Sequence, residues 1–191
     1  KLSNGLTTTR ISSLITSIVF SKDRALQLDL ALNSIKKNFD LCGHIVVIYE
    51  VSNEGYNESY RRLKEEHSDV LFERQGSSLF LDIMIYVNDS KLDYICFFTD
   101  DDVIYNKVDF KKDQLEHIFE IGCCCLSLRL GLNTLKRDYG NGILRDDSIP
   151  QLFSKPPFII WNRTGIPVGG YWAYPLSVDG HIFKRETIFR Y

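Results

Sequence analysis

A surplus of charge of one sign is missing from this chain. Its 191 residues carry 23 Lys and Arg against 25 Asp and Glu, a net charge of −2. That balance excludes a nucleic-acid binder held by bulk electrostatics. Long hydrophobic runs are missing too. The longest candidates, such as 11–20, are broken by Ser and Thr and fall short of the roughly 18–20 apolar residues that cross a bilayer. No signal-peptide pattern, internal repeat or low-complexity tract is present. The chain begins with Lys rather than Met, so a trimmed chain with an anchor or second domain outside it is one expectation. The five cysteines (Cys42, Cys96, Cys123, Cys124, Cys125) are odd in number and lie in apolar surroundings, which argues against a disulfide framework. Read as a strand, the Cys123–Cys124–Cys125 run points its thiols to alternate faces, so it does not suit a zinc site. All five are expected as small core residues, in a reducing, cytoplasmic setting. The sequons at Asn57, Asn88 and Asn162 carry little weight.

What remains is an ordinary globular composition, 44% apolar and 25% charged, of a length that suits one domain. Strand and helix patterns alternate through its first half. Residues 14–20 are apolar and β-branched, a buried strand ended by Ser21 as helix N-cap with Asp23 in the first turn. Ala25, Leu28, Leu32, Ile35 and Phe39 then recur at helical spacing, and Cys42-Gly43 stops that helix. A second strand, 44–49, ends at Glu50. Tyr56, Tyr60, Leu63 and His67 share one face of a polar helix, and 70–72 suggest a short third strand. Ser77-Ser78 cap a helix with the stripe Phe80, Ile83, Met84 and Val87. The strand 94–99 then runs straight into Asp100-Asp101-Asp102. This order predicts an α/β fold, a three-layer sandwich around a mostly parallel sheet. Ligands of such sheets bind beyond the carboxyl ends of the strands, which brings 21–24, Glu50 and 100–102 to one crevice.

The second half is looser. A helix is expected at 114–121 and a strand at 124–130. Residues 131–170 hold four of the five prolines and read as long binding loops or lids. The aromatic-rich 169–184 returns to strand-like sequence.

Asp100-Asp101-Asp102 is the sharpest chemical signal. Three adjacent carboxylates repel one another, and a hard cation such as Mg²⁺ or Mn²⁺ relieves that repulsion while keeping positions for substrate phosphates. A solvated acidic turn is the alternative; the position after a buried strand, at the crevice, favours metal or nucleotide contact. On these residues the chain resembles the GT-A glycosyltransferases, and within them family-2-like enzymes. The resemblance rests on a first strand and Arg-bearing turn (SIVFSKDRALQL), a second strand ending in an acid (IVVIYE), and an Asp-x-Asp motif after a further strand (YICFFTDDDV). It spans roughly 14–190.

The resemblance implies a metal-dependent transfer from a nucleotide-sugar, a UDP-sugar being the expected donor, to a glycan or other hydroxyl acceptor, with inversion. It implies a nucleotide-binding half at about 12–110 and an acceptor-binding half at about 111–191. It places Asp100 at the nucleoside and Asp102 on the metal, with Asp101 left open between the two roles. Ser21 and Arg24 are expected near the nucleotide, where a guanidinium suits phosphate. Glu50 would accept from a base edge, although the family often has Asp there. Arg74, Gln75 and Ser78 would touch the base or ribose. An inverting transferase needs a base for the acceptor hydroxyl, and Asp179 is the candidate, with Asp146 and Asp147 as rivals. His181 is a candidate further metal ligand. Trp172 and Tyr174, with Trp161 and Tyr171, would form a sugar-stacking surface, and Arg129 and Arg163 would meet diphosphate or acceptor. Three rivals stand beside this reading. A phosphohydrolase of the haloacid dehalogenase type also uses Asp-x-Asp with Mg²⁺, but on its first strand. A sugar-nucleotide pyrophosphorylase needs a Gly-rich loop that SKDRALQL lacks. A non-catalytic nucleotide-sugar binding domain would keep the fold alone.

Overall fold

The chain enters through strand β1 (Ile15–Lys22), whose residues alternate between two buried environments, and the rest of the architecture is built around it. The computed structural model describes residues 14–134, 136–138, 144–146, 149–162, 164, 166, 171–174 and 177–189. After β1 follow α1 (Ala25–Asn38), β2 (Cys42–Glu50), α2 (Glu54–Glu66), β3 (Leu71–Arg74), α3 (Leu79–Asp89) and β4 (Tyr94–Thr99). The second half contributes α4 (Lys112–Glu120), β5 (Leu126–Ser127), β6 (Lys136–Asp138), β7 (Leu144–Asp146), β8 (Leu152–Lys155), β9 (Phe158–Trp161), a 3₁₀ turn (Tyr171–Ala173), β10 (His181–Lys184) and α5 (Arg185–Ile188).

Six strands form the central sheet in the order β3-β2-β1-β4-β10-β5. β1 to β4 are parallel, and β10 runs antiparallel between β4 and β5. The two-residue periodicity of the strands builds two cores. Ile15, Val19, Val47, Cys96, Phe98 and Ile182 face α1, α2 and α4, through Leu28, Leu32, Tyr60, Leu63 and Leu115. Ile18, Val46, Ile48 and Ile95 face α3 through Val87, with Ile83 and Ile188 alongside. Helices on both faces of a mostly parallel sheet are the expected α/β three-layer arrangement. The stripe Leu28, Leu32, Ile35 and Phe39 on α1 is buried as its spacing predicts. Among the described residues no helix is long and apolar enough to cross a membrane.

Several local expectations are corrected. Ser21 does not cap α1: it remains in β1, and Arg24 occupies the N-cap position without a side-chain cap bond. Asp23 is not in the first helical turn but in a left-handed conformation (φ 58°) between β1 and α1. Its carboxylate accepts from Ser52 N at 2.8 Å and from Ser52 Oγ, which ties this turn to the one after β2. α1 ends at Asn38 with Phe39 as its C-cap, and Cys42-Gly43 opens β2 instead of stopping the helix. Phe80 is exposed, so the buried side of α3 is carried by Val87 with Ile83 and Met84 half-buried. The strand expected over 124–130 is only Leu126–Ser127, because irregular turns flank it. The stretch 131–170 contains the hairpins β6–β7 and β8–β9. Of the cysteines only Cys96 is buried; Cys42, Cys123 and Cys125 are half-buried and Cys124 is exposed. The run lies in irregular chain after α4, where no strand alternation draws it inward.

Candidate active site

Parallel register brings the carboxyl ends of three strands to one edge. Lys22 pairs with Glu50, and Phe20 pairs with Thr99, so the residues that follow β1, β2 and β4 meet there. The aspartate run leaves β4 in a turn closed by Asp102 N to Thr99 O (3.2 Å). The segment that follows is strapped across the end of α1: Ile104 N donates to Ser34 Oγ at 3.0 Å, Val108 N to Asn38 O at 2.8 Å, and the Asn38 amide to Ile104 O.

The three aspartates occupy three different environments. Asp100 is buried. Its Oδ2 accepts from Ser21 Oγ (2.8 Å) and Lys22 N (3.3 Å), and its Oδ1 lies 3.5 Å from Arg24 Nη1. Asp101 is exposed, with Oδ2 3.3 Å from the same Arg24 nitrogen. Asp102 is half-buried, and its Oδ2 accepts from Thr99 N at 2.7 Å. The Thr99 hydroxyl sits 2.8 Å from Asp101 Oδ1 and 3.0 Å from Asp102 Oδ2, so one proton is shared between two carboxylates. Burial raises the Asp102 pKa above the ordinary aspartate value; the Thr99 hydrogen bonds oppose this, and the charges of Asp179 and Asp101 add to it.

Asp179 lines the same cleft as Asp102 from the turn leading into β10, whose Gly180 takes φ 70° and bonds through its N–H to Phe97 O at 2.8 Å. Asp179 Oδ2 is held by Arg129 Nη1 at 2.6 Å, and the Arg129 guanidinium lies over the Tyr171 ring, 5.6 Å from its centroid. Asp102, Asp179 and Arg129 all line one cleft of about 1200 Å³, bounded by 102–110, the end of α4, 121–133 and the β8–β9 hairpin. Cys123, Cys124, Cys125 and Trp161 line it as well.

Other expected residues fall elsewhere. Ser21 is buried between Tyr60 and Asp100, so it acts on the aspartate rather than facing a nucleotide. Glu50 pairs with Lys22 at 2.8 Å, which raises the Lys22 pKa through that hydrogen bond. Arg74 is exposed at the end of β3, three strand spacings or about 14 Å across the sheet from β4. Ser78 is the N-cap of α3, accepting from Leu81 N at 3.4 Å, and Gln75 N bonds Tyr49 O at 2.8 Å. His181 is fully buried at the start of β10, on the sheet face opposite the Phe98 core. Its Nδ1 lies 3.1 Å from Asp179 O, its Nε2 has no hydrogen-bond partner among the described residues, and burial with the nearby Arg129 charge lowers its pKa to about 4. Trp172 is not a sugar-facing surface: it is fully buried, donates from Nε1 to Thr134 O at 3.1 Å, and meets Trp161 edge-on at 5.0 Å. Its ring is the largest fully buried side chain and anchors the second half of the chain. Tyr174 is 53% exposed but does not line the cleft. Asp146 is exposed on β7, while Asp147 and Arg163 lie outside the described residues.

Sequence reasoning missed Thr99, Tyr60 and the Asp23–Ser52 pair. Thr99 was legible as a hydroxyl at the strand end beside the acids. Tyr60 reads in the sequence only as one of four residues sharing a face of a polar helix, although its hydroxyl is what reaches the site.

The donor set suits an open divalent-cation site. Among the described residues Asp102 Oδ1 makes no hydrogen bond, and burial with the neighbouring charges acts against an ionised Asp102, which a cation would relieve. Among the described residues no three His, Cys, Asp or Glu side chains converge as a cage. The arrangement therefore fits an ion carried by one or two carboxylates plus substrate phosphates.

No protein-family model matches the chain. It is 25% identical over 186 residues to the bifunctional glycosyltransferase pgtA of Dictyostelium discoideum, covering 90% of this chain and 24% of that protein. The chain thus spans about a quarter of that relative. Residues 1–349 of S. aureus TarS match with a TM-score of 0.53 at 14% identity, over 90% of this chain and 47% of the other. The fold is GT-A-like. The mannosyltransferase PcManGT of Pyrobaculum calidifontis, solved with GDP-Man and Mn²⁺, matches with a TM-score of 0.48 at 13% identity, over 94% and 47% of the two chains.

Proposed function

We propose that this domain transfers a sugar from a nucleotide-sugar, a UDP-sugar by expectation, to a hydroxyl acceptor with inversion. The observation that carries the proposal is the meeting of two carboxylates from separate strand ends, Asp102 after β4 and Asp179 before β10, in one large cleft. The sequence similarity to a glycosyltransferase over 90% of the chain supports it.

Asp100 and Asp101, held by Arg24, order the nucleoside side. Asp102 and the donor diphosphate would hold a Mn²⁺ or Mg²⁺ ion, which supplies charge neutralisation to the departing nucleoside diphosphate. His181 is the candidate additional ligand, through its unpartnered Nε2. Asp179 takes the proton of the acceptor hydroxyl through Oδ1 while Arg129 holds Oδ2. The acceptor oxygen bonds the anomeric carbon from the face opposite the breaking C–O bond, and the diphosphate leaves with the electron pair. Glu50, Arg74 and Ser78, along the far edge, are assigned to the base and ribose, and Tyr174 to the acceptor.

The dehalogenase-type alternative is disfavoured because its attacking nucleophile would be Asp100, which is buried with both oxygens engaged. The test is a thermal-shift screen of nucleotide-sugars with and without Mn²⁺. At a hundredfold excess over Kd a ligand stabilises by roughly 2.7 kcal/mol, which raises Tm by about 5–10 °C in a domain of this size. Asp102→Ala is expected to abolish the metal-dependent shift without unfolding the protein; a normal shift in that variant sinks the metal assignment. Product with retained anomeric configuration sinks the inverting mechanism. Nucleotide-sugar binding without turnover would identify a binding module.

A further inference from the structure

We propose that the acceptor presents its hydroxyl on an apolar body, an alkyl or aromatic aglycone, which lies in the cleft beyond Asp179. The inference rests on the glycosyl-transfer reading and deepens it to a substrate class.

The polar groups of the cleft are concentrated at the reacting end. Asp102 and Asp179 are there with Arg129, whose Nη1 holds Asp179 Oδ2. Away from that end large apolar side chains form much of the wall. Val103, Ile121, Leu132 and Phe153 all line the cleft, and they are 43%, 43%, 67% and 51% exposed. Phe158 and Trp161 continue the surface between them. Large apolar side chains left open to water in one contiguous concave surface mark a binding site, whereas scattered ones do not. The polar residues interspersed there are largely used locally. Lys107 is paired with Asp40 at 2.7 Å, Ser127 Oγ accepts from Leu130 N at 3.1 Å, and Asn162 Oδ1 accepts from Thr164 N at 2.9 Å. Beyond these, Tyr105, Asn106, Asp109 and Asn133 line the cleft, a sparse polar set beside its apolar side chains, whereas a free oligosaccharide needs donors and acceptors for its many hydroxyls. The volume, about 1200 Å³, exceeds what one sugar ring fills and leaves room for an aglycone beside it.

The experiment uses the 191-residue chain with methyl, phenyl and octyl β-D-glucoside, the last kept below its micelle concentration. Binding is read from tryptophan fluorescence, since Trp161 lines the cleft. Each methylene removed from water contributes roughly a fourfold gain in binding, so phenyl and octyl are expected to bind at least about tenfold more tightly than methyl. Leu132→Ser and Phe153→Ser, at exposed positions that the fold does not need, are expected to erase most of that gain and leave the methyl glycoside unchanged. A preference for octyl identifies an aliphatic chain as the aglycone, and a preference for phenyl an aromatic one. Equal binding of all three glycosides, or no effect of the two variants, overturns the proposal. The nucleotide-sugar thermal shift is measured in parallel. Its absence, with apolar glycosides still preferred, overturns the transferase reading and leaves the ligand class of the cleft standing.

Discussion

Tyr60→Phe tests whether Asp100 is held by a directed chain of hydrogen bonds. The Ser21 hydroxyl has one proton, and it goes to Asp100 Oδ2 at 2.8 Å. Ser21 Oγ must therefore accept from Tyr60, and Tyr60 Oη in turn accepts from the backbone N–H of Arg24 at 3.2 Å. The chain runs in one direction, from the N-cap of α1 through α2 to the end of β4. Phe keeps the ring, which is fully buried and stacked on Tyr49 at 4.7 Å, so packing is preserved. What is lost is the donor to Ser21 and the acceptor for Arg24 N–H.

A buried group left unpaired costs about 1–3 kcal/mol, and Arg24 N–H retains partial access to water, so the variant is expected to lose about 2 kcal/mol. For a domain of this size that lowers Tm by about 4–8 °C. Ser21→Ala breaks the same chain one step later. The two losses are expected to fall short of adding by about 1 kcal/mol in the double variant, as coupled neighbours do. Urea unfolding of the two single variants and the double one, together with donor affinity from the thermal-shift assay, reads all of this. A Tm within about 1 °C of the parent, or strict additivity, refutes the chain.

Trp172→Ala is expected to cost about 3–5 kcal/mol, as truncation of a fully buried aromatic does, whereas Tyr174→Ala leaves Tm within about 1 °C; a mild Trp172 variant would restore the stacking role. Stability is expected to fall as pH drops from about 6.5 to about 4, because His181 in the folded protein binds its proton only near 4 while the unfolded chain binds it near 6.5. The loss is at most on the order of 3 kcal/mol, and His181→Gln in metal-free buffer should flatten that slope; an unchanged slope assigns it to other groups. Arg129→Met releases Asp179 Oδ2 and is expected to lower kcat about tenfold to a hundredfold with the donor Kd unchanged; an unchanged kcat removes Arg129 from the positioning of the base.

The first half of this fold was legible because its strands and helices carry clean local periodicities. The run YICFFT, ending in acids, reads as a buried strand that meets solvent at its carboxyl end, and it is one. The left-handed Asp23 was not legible, since nothing local distinguishes a bridging carboxylate from a first-turn acid; its partner, Ser52, lies beyond the next strand. β10 is four residues long and inserts antiparallel beside β4 from more than eighty positions away, a pairing that no local pattern encodes. The same distance effect misled the reading of Trp172. An aromatic near acids resembles a stacking platform, and only the tertiary contacts with Trp161 and Thr134 show it enclosed.

Asp100 and Asp102 are one residue type two positions apart, yet the structure treats them in opposite ways. Asp100 is enclosed by donors, a hydroxyl, a backbone N–H and a guanidinium, which together compensate the burial of its charge. Asp102 has Thr99 alone on one oxygen, lies half-buried, and faces the charges of Asp179 and Asp101. Burial and these neighbouring charges therefore act against its ionised form. A folded chain accepts such a conflict where a ligand relieves it, and perturbed carboxylates in clefts concentrate at sites of chemistry for that reason. Asp100 is tied into the turn by its donors, whereas Asp102 lines the cleft with an Oδ1 that makes no hydrogen bond among the described residues, which is why the proposed transfer gives the ion to Asp102.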